Sequence, residues 1–302
     1  PQSAISVIPD EQAAIDAAAT RSGTRPVVHI PDGVYEISRT LTVPASDLQI
    51  IGDGYGTILR WTGEGSGPVL RITGPSKATL REIQIDGVGR SNGIIVGTVD
   101  QVGARVYMQS AQLRSGRNTD LSVKSLDHAY VQLEDFGHAY SPDGIAVKVT
   151  GGPLLAAGRT TGGRTSVFSG AASGNRVSYD VSGGAKLLVR DVWYEGGAGP
   201  GFAHVHGRAE FTADGVRVAS PVNQLVPAFD IVNLDGKVTI LAAHFEDRVR
   251  VAGAGRNAKV FGLALFCDQK FSYCLLDAAS PAAGTTMLLS RQRSSVIGTR
   301  SA

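Results

Sequence analysis

An ungapped internal match constrains this chain more than any other feature: LREIQIDG (Leu80 to Gly87) superposes on VRDVWYEG (Val189 to Gly196) as apolar-x-x-apolar-x-apolar-acidic-glycine. The same phase recurs at Met108-Ala111-Leu113, Leu133-Phe136-His138, Phe168-Ala171-Ser173, Ala213-Val216-Val218, Ile240-Ala243-Phe245 and Val260-Leu263-Leu265, spaced by about 20 to 35 residues. Self-similarity at a fixed phase is the mark of a solenoid, in which each repeat buries its apolar face against its neighbours. Second short strands follow the repeats: GIIV, DLSV, IAVKV, SYDV, FAHV, FDIV, VRV and YCLL. Ahead of them run VVHI, GVYEI, LTV, LQIIG, TILRW and VLRIT, broken by turns at Pro31-Asp32-Gly33 and Gly52-Asp53-Gly54.

Strands this short and frequent predict an all-β chain, a single-stranded right-handed parallel β-helix that uses residues 1–302 as one domain. Composition agrees, with 42% apolar residues to fill a core and 38 glycines against long helices. One helix is expected, capped by Asp10, carrying Ala13, Ala14, Ile15 and Ala18 on one face and ending near Gly23. It lies in an N-terminal cap region, 1–25, covering the unpaired edge of the first coil. Residues 280–302 read as a C-terminal tail. The segment Gly151 to Gly163 interrupts the spacing and is expected to form a long loop walling a groove.

A net charge of about +2, with scattered Lys and Arg, argues against a nucleic-acid partner. No run of 18 apolar residues is present, so a soluble chain without a membrane partner is expected. Cys267 and Cys274 have a spacing that a small turn could close into a disulfide, and two buried thiols explain them equally well.

The stretch from Glu11 to Leu59, EQAAIDAAATRSGTRPVVHIPDGVYEISRTLTVPASDLQIIGDGYGTIL, resembles the opening of the pectate-lyase-like superfamily of polysaccharide lyases, glycoside hydrolases, epimerases and phage tailspikes. The resemblance implies a secreted or cell-surface protein whose partner is a polysaccharide. The catalytic signatures of the family's calcium-dependent pectate lyases (Arg-x-Pro-Arg) and polygalacturonases are missing, and Gly137-His138-Ala139 only echoes one of them. That departure keeps a non-catalytic carbohydrate-binding or adhesion module in view beside a lyase or hydrolase.

In a β-helix, equivalent positions on successive coils stack about 4.8 Å apart. With Val149, Val181 and Val205 inside, Lys148, Asp180 and His204 form an outward column that could neutralise a sugar carboxylate, abstract a proton and protonate a leaving oxygen. A solvated ladder of mixed charge is the alternative. Asp135 and Asp191 share a turn position two coils apart, about 9.6 Å, near the upper limit for an inverting carboxylate pair. Glu82 lies in the same column, and turn carboxylates also serve simply to accept backbone N–H bonds. Trp193, as a sugar-stacking platform, is grouped with Arg217 and His244 in its own column and with Arg190 and Glu195 beside it. Tyr140 is expected to line the groove, and His138 to point inward. Spacing along the chain groups no metal ligands; no cofactor is expected, calcium held by scattered carboxylates staying open. A monomer is expected, with a tailspike-like trimer as the alternative.

Overall fold

The computed structural model describes residues 10–21, 25–74, 77–97, 104–124, 130–139, 141, 144–151, 163–195, 201–219, 227–245, 249–267, 276–279 and 286–291. Among these residues, two parallel sheets form the walls of the coil, one of 15 strands and one of 10. Strands next to each other in a sheet come from successive coils, with the right-handed sense that parallel crossovers take. The chain is therefore an all-β right-handed parallel β-helix with one short helix at its N-terminal end.

Registration follows the repeat. Leu80 pairs with Met108, Met108 with Leu133, Leu133 with Val167 and Val167 with Val189, and the column continues through Ala213 to Ile240. All seven are buried. Two repeats are out of phase with the sequence reading. Val167-Gly170-Ala172, one residue earlier than Phe168-Ala171-Ser173, pairs with Val189, Val192 and Tyr194. Ile240 pairs with Gly262 and Phe245 with Cys267, so the set beginning at Val260 is two residues off. In both coils glycine fills an inward slot, and apolarity alone selects Phe168 and Leu263, which face outward. The tenth strand of the smaller sheet is Leu276–Ala279, beginning at the last residue of YCLL. Cys274 and the 152–162 portion of the expected loop lie outside the described residues.

The larger sheet bends at one register position in eight successive coils. Glu82, Ser110, Asp135, Ser169, Asp191, Ala242 and Ala264 all have φ between 46° and 54°, and Gly215 completes the column at 64°. A non-glycine residue costs about 1 to 2 kcal/mol in this left-handed region, least for short polar side chains that hydrogen-bond locally. The Ser110 hydroxyl does so, donating to the Asp135 carboxylate on the next coil at 2.9 Å.

Inside the helix an aromatic file runs along the axis: Phe136, His138, Tyr179, Phe202, Phe229 and Phe245, with centroids 5.1 to 5.7 Å apart. Most contacts are edge-to-face, the arrangement ring quadrupoles favour. His138 is buried in this file with Leu113 and Ala172 as its register neighbours, as its phase implied.

The helix Glu11–Ala19 begins where Asp10 accepts from the Gln12 and Ala13 N–H groups, and it ends earlier than expected, at a Thr20 cap. Its Ile15 and Ala18 are buried against the first coil. Gln12 pairs its side-chain amide with both backbone groups of Thr42, at 3.0 and 2.7 Å. Thr42 sits on the terminal strand of the smaller sheet, so this amide takes the place of a neighbouring strand and blocks the open edge.

Candidate functional site

Lys148, Asp180 and His204 stand in one register column of the smaller sheet: Lys148 pairs with Asp180 and Asp180 with His204. Val149, Val181 and Val205 beside them are buried, which fixes the column's outward direction. The column continues from His204 to Asp230 and then Arg250. Arg250 grips Asp230 through two bonds of 2.7 Å, the bidentate fork of guanidinium on carboxylate.

The Asp180–His204 pair has a catalytic shape. A carboxylate oxygen of Asp180 lies 2.8 Å from His204 Nδ1, and Asp180 itself is only 6% exposed while both His204 and Lys148 reach solvent. Burial works to raise the Asp180 pKa, but the His204 hydrogen bond and the charges of His204, His206 and Lys148 outweigh it and hold the pKa below the ordinary carboxylate value. A carboxylate fixed on Nδ1 directs the other ring nitrogen outward with its lone pair, the orientation a general base requires. His206, two residues along the same strand, brings Nε2 within 3.6 Å of the same Asp180 oxygen, and its ring lies 4.7 Å from that of His204. Asp180, His204 and His206 thus present three donor atoms within 4.8 Å of one another, a group that spacing along the chain does not reveal because Asp180 belongs to the preceding coil.

The remaining sequence-selected residues belong to the other sheet. Asp135 and Asp191 occupy the left-handed bend; Asp135 accepts from the Ser110 hydroxyl of the preceding coil, and a Cβ on Gly215 would fall 2.6 Å from an Asp191 oxygen. Trp193 is 49% exposed, and the Arg217 guanidinium stands 5.7 Å from its ring centroid. Trp193 pairs with Arg217 and Arg217 with His244, as the column reading requires. Glu195 is exposed on the same strand, and Arg190 is engaged by Asp214 at 3.1 Å. The structure therefore distributes the selected residues over two faces of the helix. Tyr140 lies outside the described residues.

A further feature was not legible as a site. A cleft of about 800 Å³ runs across several coils of the larger sheet, lined by Arg25, Lys77, Arg105, Tyr107, Tyr130 and Arg164 among others. Arg105, Tyr130 and Arg164 are register partners. Each stands three residues before an inward residue of the repeat (Met108, Leu133, Val167), so correctly phased repeats are the signal that would have found them. The Tyr107 hydroxyl donates to Glu134, and burial together with that bond pushes its pKa up to about 12.

The sequence matches no protein-family model and no curated protein. Among solved structures it is similar to the ORF18 protein of Geobacillus virus E2, at 13% identity and a TM-score of 0.53, over 94% of this chain and 57% of that one. It is similar also to the enzymatically active domain of tailspike protein 2 of bacteriophage CBA120, at 8% identity and a TM-score of 0.55, over 94% of this chain and 44% of that one. The chain spans about half the length of these proteins, and at such identities the likeness is one of fold.

Proposed function

We propose that this chain is an exported polysaccharide-active β-helix that cleaves an acidic glycan by β-elimination at the Lys148–Asp180–His204 column. The observation that carries the reading is the 2.8 Å Asp180–His204 contact beside Lys148 in register. In this mechanism His204 Nε2 removes the proton α to a uronate carboxylate, whose negative charge the Lys148 ammonium offsets. The electron pair left on carbon forms the new C=C bond and expels the glycosidic oxygen, which takes a proton from solvent or from Lys148. Asp180 positions the imidazole and stabilises its cationic form. Enzymatic activity in the CBA120 tailspike domain, which shares the fold, is consistent with this reading.

The test is absorbance near 235 nm on a panel of uronate polysaccharides after metal chelation. Wild-type chain should generate the unsaturated product, and His204→Ala should lose about 10² to 10⁴ in rate, the usual value of a positioned base. New reducing ends without that absorbance would instead implicate hydrolysis and the Asp135–Asp191 pair. No product of either kind would overturn catalysis.

One observation favours a second reading, a binding module without turnover: the 800 Å³ cleft lies on the larger sheet rather than over the column. It predicts glycan affinity that survives His204→Ala and falls on Tyr130→Ala or Arg105→Ala.

A further inference from the structure

We infer that Asp180, His204 and His206 form a binding site for a single divalent transition-metal ion of the zinc class. The sequence His204-Val205-His206 places two imidazoles on one face of one strand, since side chains alternate with period two, and Val205 between them is buried. Register then sets Asp180 directly beside His204 from the neighbouring coil. The donor atoms lie close together: Asp180 Oδ2 lies 2.8 Å from His204 Nδ1 and 3.6 Å from His206 Nε2, and all three donors fall within 4.8 Å of one another. Ligands bound to zinc at about 2.0 to 2.1 Å in a tetrahedron stand roughly 3.3 Å apart, so the two measured edges bracket the required value.

A simple His–Asp hydrogen bond accounts for one of these histidines only. The second brings its nitrogen to 3.6 Å from the same carboxylate oxygen, beyond hydrogen-bond reach and at a separation that two ligands of a shared ion can adopt. Two imidazoles and one carboxylate suit zinc, cobalt or iron(II) and are a poor set for calcium, which takes oxygen ligands. Three protein ligands leave a coordination position open to water or to a glycan oxygen. Where the elimination reading also holds, metal occupancy has a regulatory consequence that rests on it: an ion on Nδ1 leaves His204 Nε2 protonated, and the base is switched off.

The experiment titrates the chelator-treated full chain with Zn²⁺ by calorimetry and with Co²⁺ by visible absorption, with no glycan present. One ion per chain and the intense visible bands of low-coordinate cobalt are expected. His206→Ala and Asp180→Asn should weaken binding about 100-fold or more, and His29→Ala, a histidine paired with Asp53 on the first coil, should leave it unchanged. His206→Gln serves in place of His206→Ala if the latter fails to give a native thermal transition. Absence of a stoichiometric site, or affinity unchanged in the His206 variant, would overturn the inference. Because the readout needs no glycan, its failure is distinguishable from failure of the elimination assay, which is run metal-free.

Discussion

Replacing His138 by leucine should remove a large part of the chain's sensitivity to acid. His138 sits in the interior aromatic file, fully buried, and neither ring nitrogen has a hydrogen-bond partner among the described residues. Burial lowers its pKa from the ordinary 6.5 to about 3. In the unfolded chain the imidazole takes up a proton near pH 6.5, whereas the folded chain refuses it until about pH 3. Between those values the unfolded state binds more protons, so the stability associated with this residue is complete above pH 6.5 and is lost as pH falls toward 3. A depression of about 3.5 units at about 1.4 kcal/mol each gives a total near 5 kcal/mol, about 2 of which are gone by pH 5. Leucine fits the slot because Leu113 already occupies the equivalent position one coil away. It also removes two unsatisfied polar atoms from the core, so His138→Leu should be at least as stable as wild type at pH 7. Thermal unfolding of both chains from pH 7 to pH 4 is the assay. The difference between them isolates this group, since every carboxylate and every other histidine is common to both. It should be flat above pH 6.5 and then widen in the variant's favour by about 1.4 kcal/mol per unit. Parallel profiles would show that the native ring protonates as freely as in the unfolded chain, and burial would then not govern its titration.

Asp120 should show the opposite dependence: burial pushes its pKa up to about 7 despite bonds from Ser141 and the Gly116 N–H, so the folded chain keeps a proton the unfolded chain releases near 3.8. Stability therefore falls as pH rises through that window, and Asp120→Asn should gain on wild type by about 4 kcal/mol between pH 4 and 7 in thermal melts. Phe202 touches Tyr179, Tyr194 and Phe229 at the centre of the file, and Phe202→Ala should cost about 3 to 5 kcal/mol, read from the shift of a urea unfolding transition. At the bend, exposed Ala242 adopts φ 46°, and Ala242→Gly should raise stability by about 0.5 to 1 kcal/mol in the same measurement. A loss there would mean that the strain is not localised at this residue.

The fold was readable because one rule, the alternation of inward and outward side chains, acts on every coil. Apolar residues at Leu80, Ile83 and Ile85 recur at Met108, Ala111 and Leu113, and stacking requires only that equivalent slots meet. The rule breaks where an inward slot holds glycine, at Gly170 and Gly262, because glycine carries no apolar side chain to mark the phase. At Gly170 a Cβ would come within 2.3 Å of the Phe136 carbonyl oxygen, so close contact between coils selects glycine while erasing the signal. Structure and pattern conflict at those coils for a physical reason.

The candidate site was readable along the helix axis and unreadable around it. Register alone predicts that Lys148, Asp180 and His204 become neighbours, and likewise Trp193, Arg217 and His244. Whether the two columns share a groove depends on the angles at which each coil turns, and those angles have no comparable signature. The bend of the larger sheet is made at Glu82, Ser110, Asp135, Ser169, Asp191, Gly215, Ala242 and Ala264, five residue types performing one backbone task. Because several side chains tolerate the left-handed conformation at a cost of about 1 to 2 kcal/mol, selection leaves no periodic residue there to read. His206 escaped for a related reason: its partner Asp180 lies on another coil, and ring reach rather than strand pairing brings the two together. Chemistry that depends on one column can thus be proposed from sequence in a β-helix, whereas chemistry that needs two sheets has to wait for coordinates.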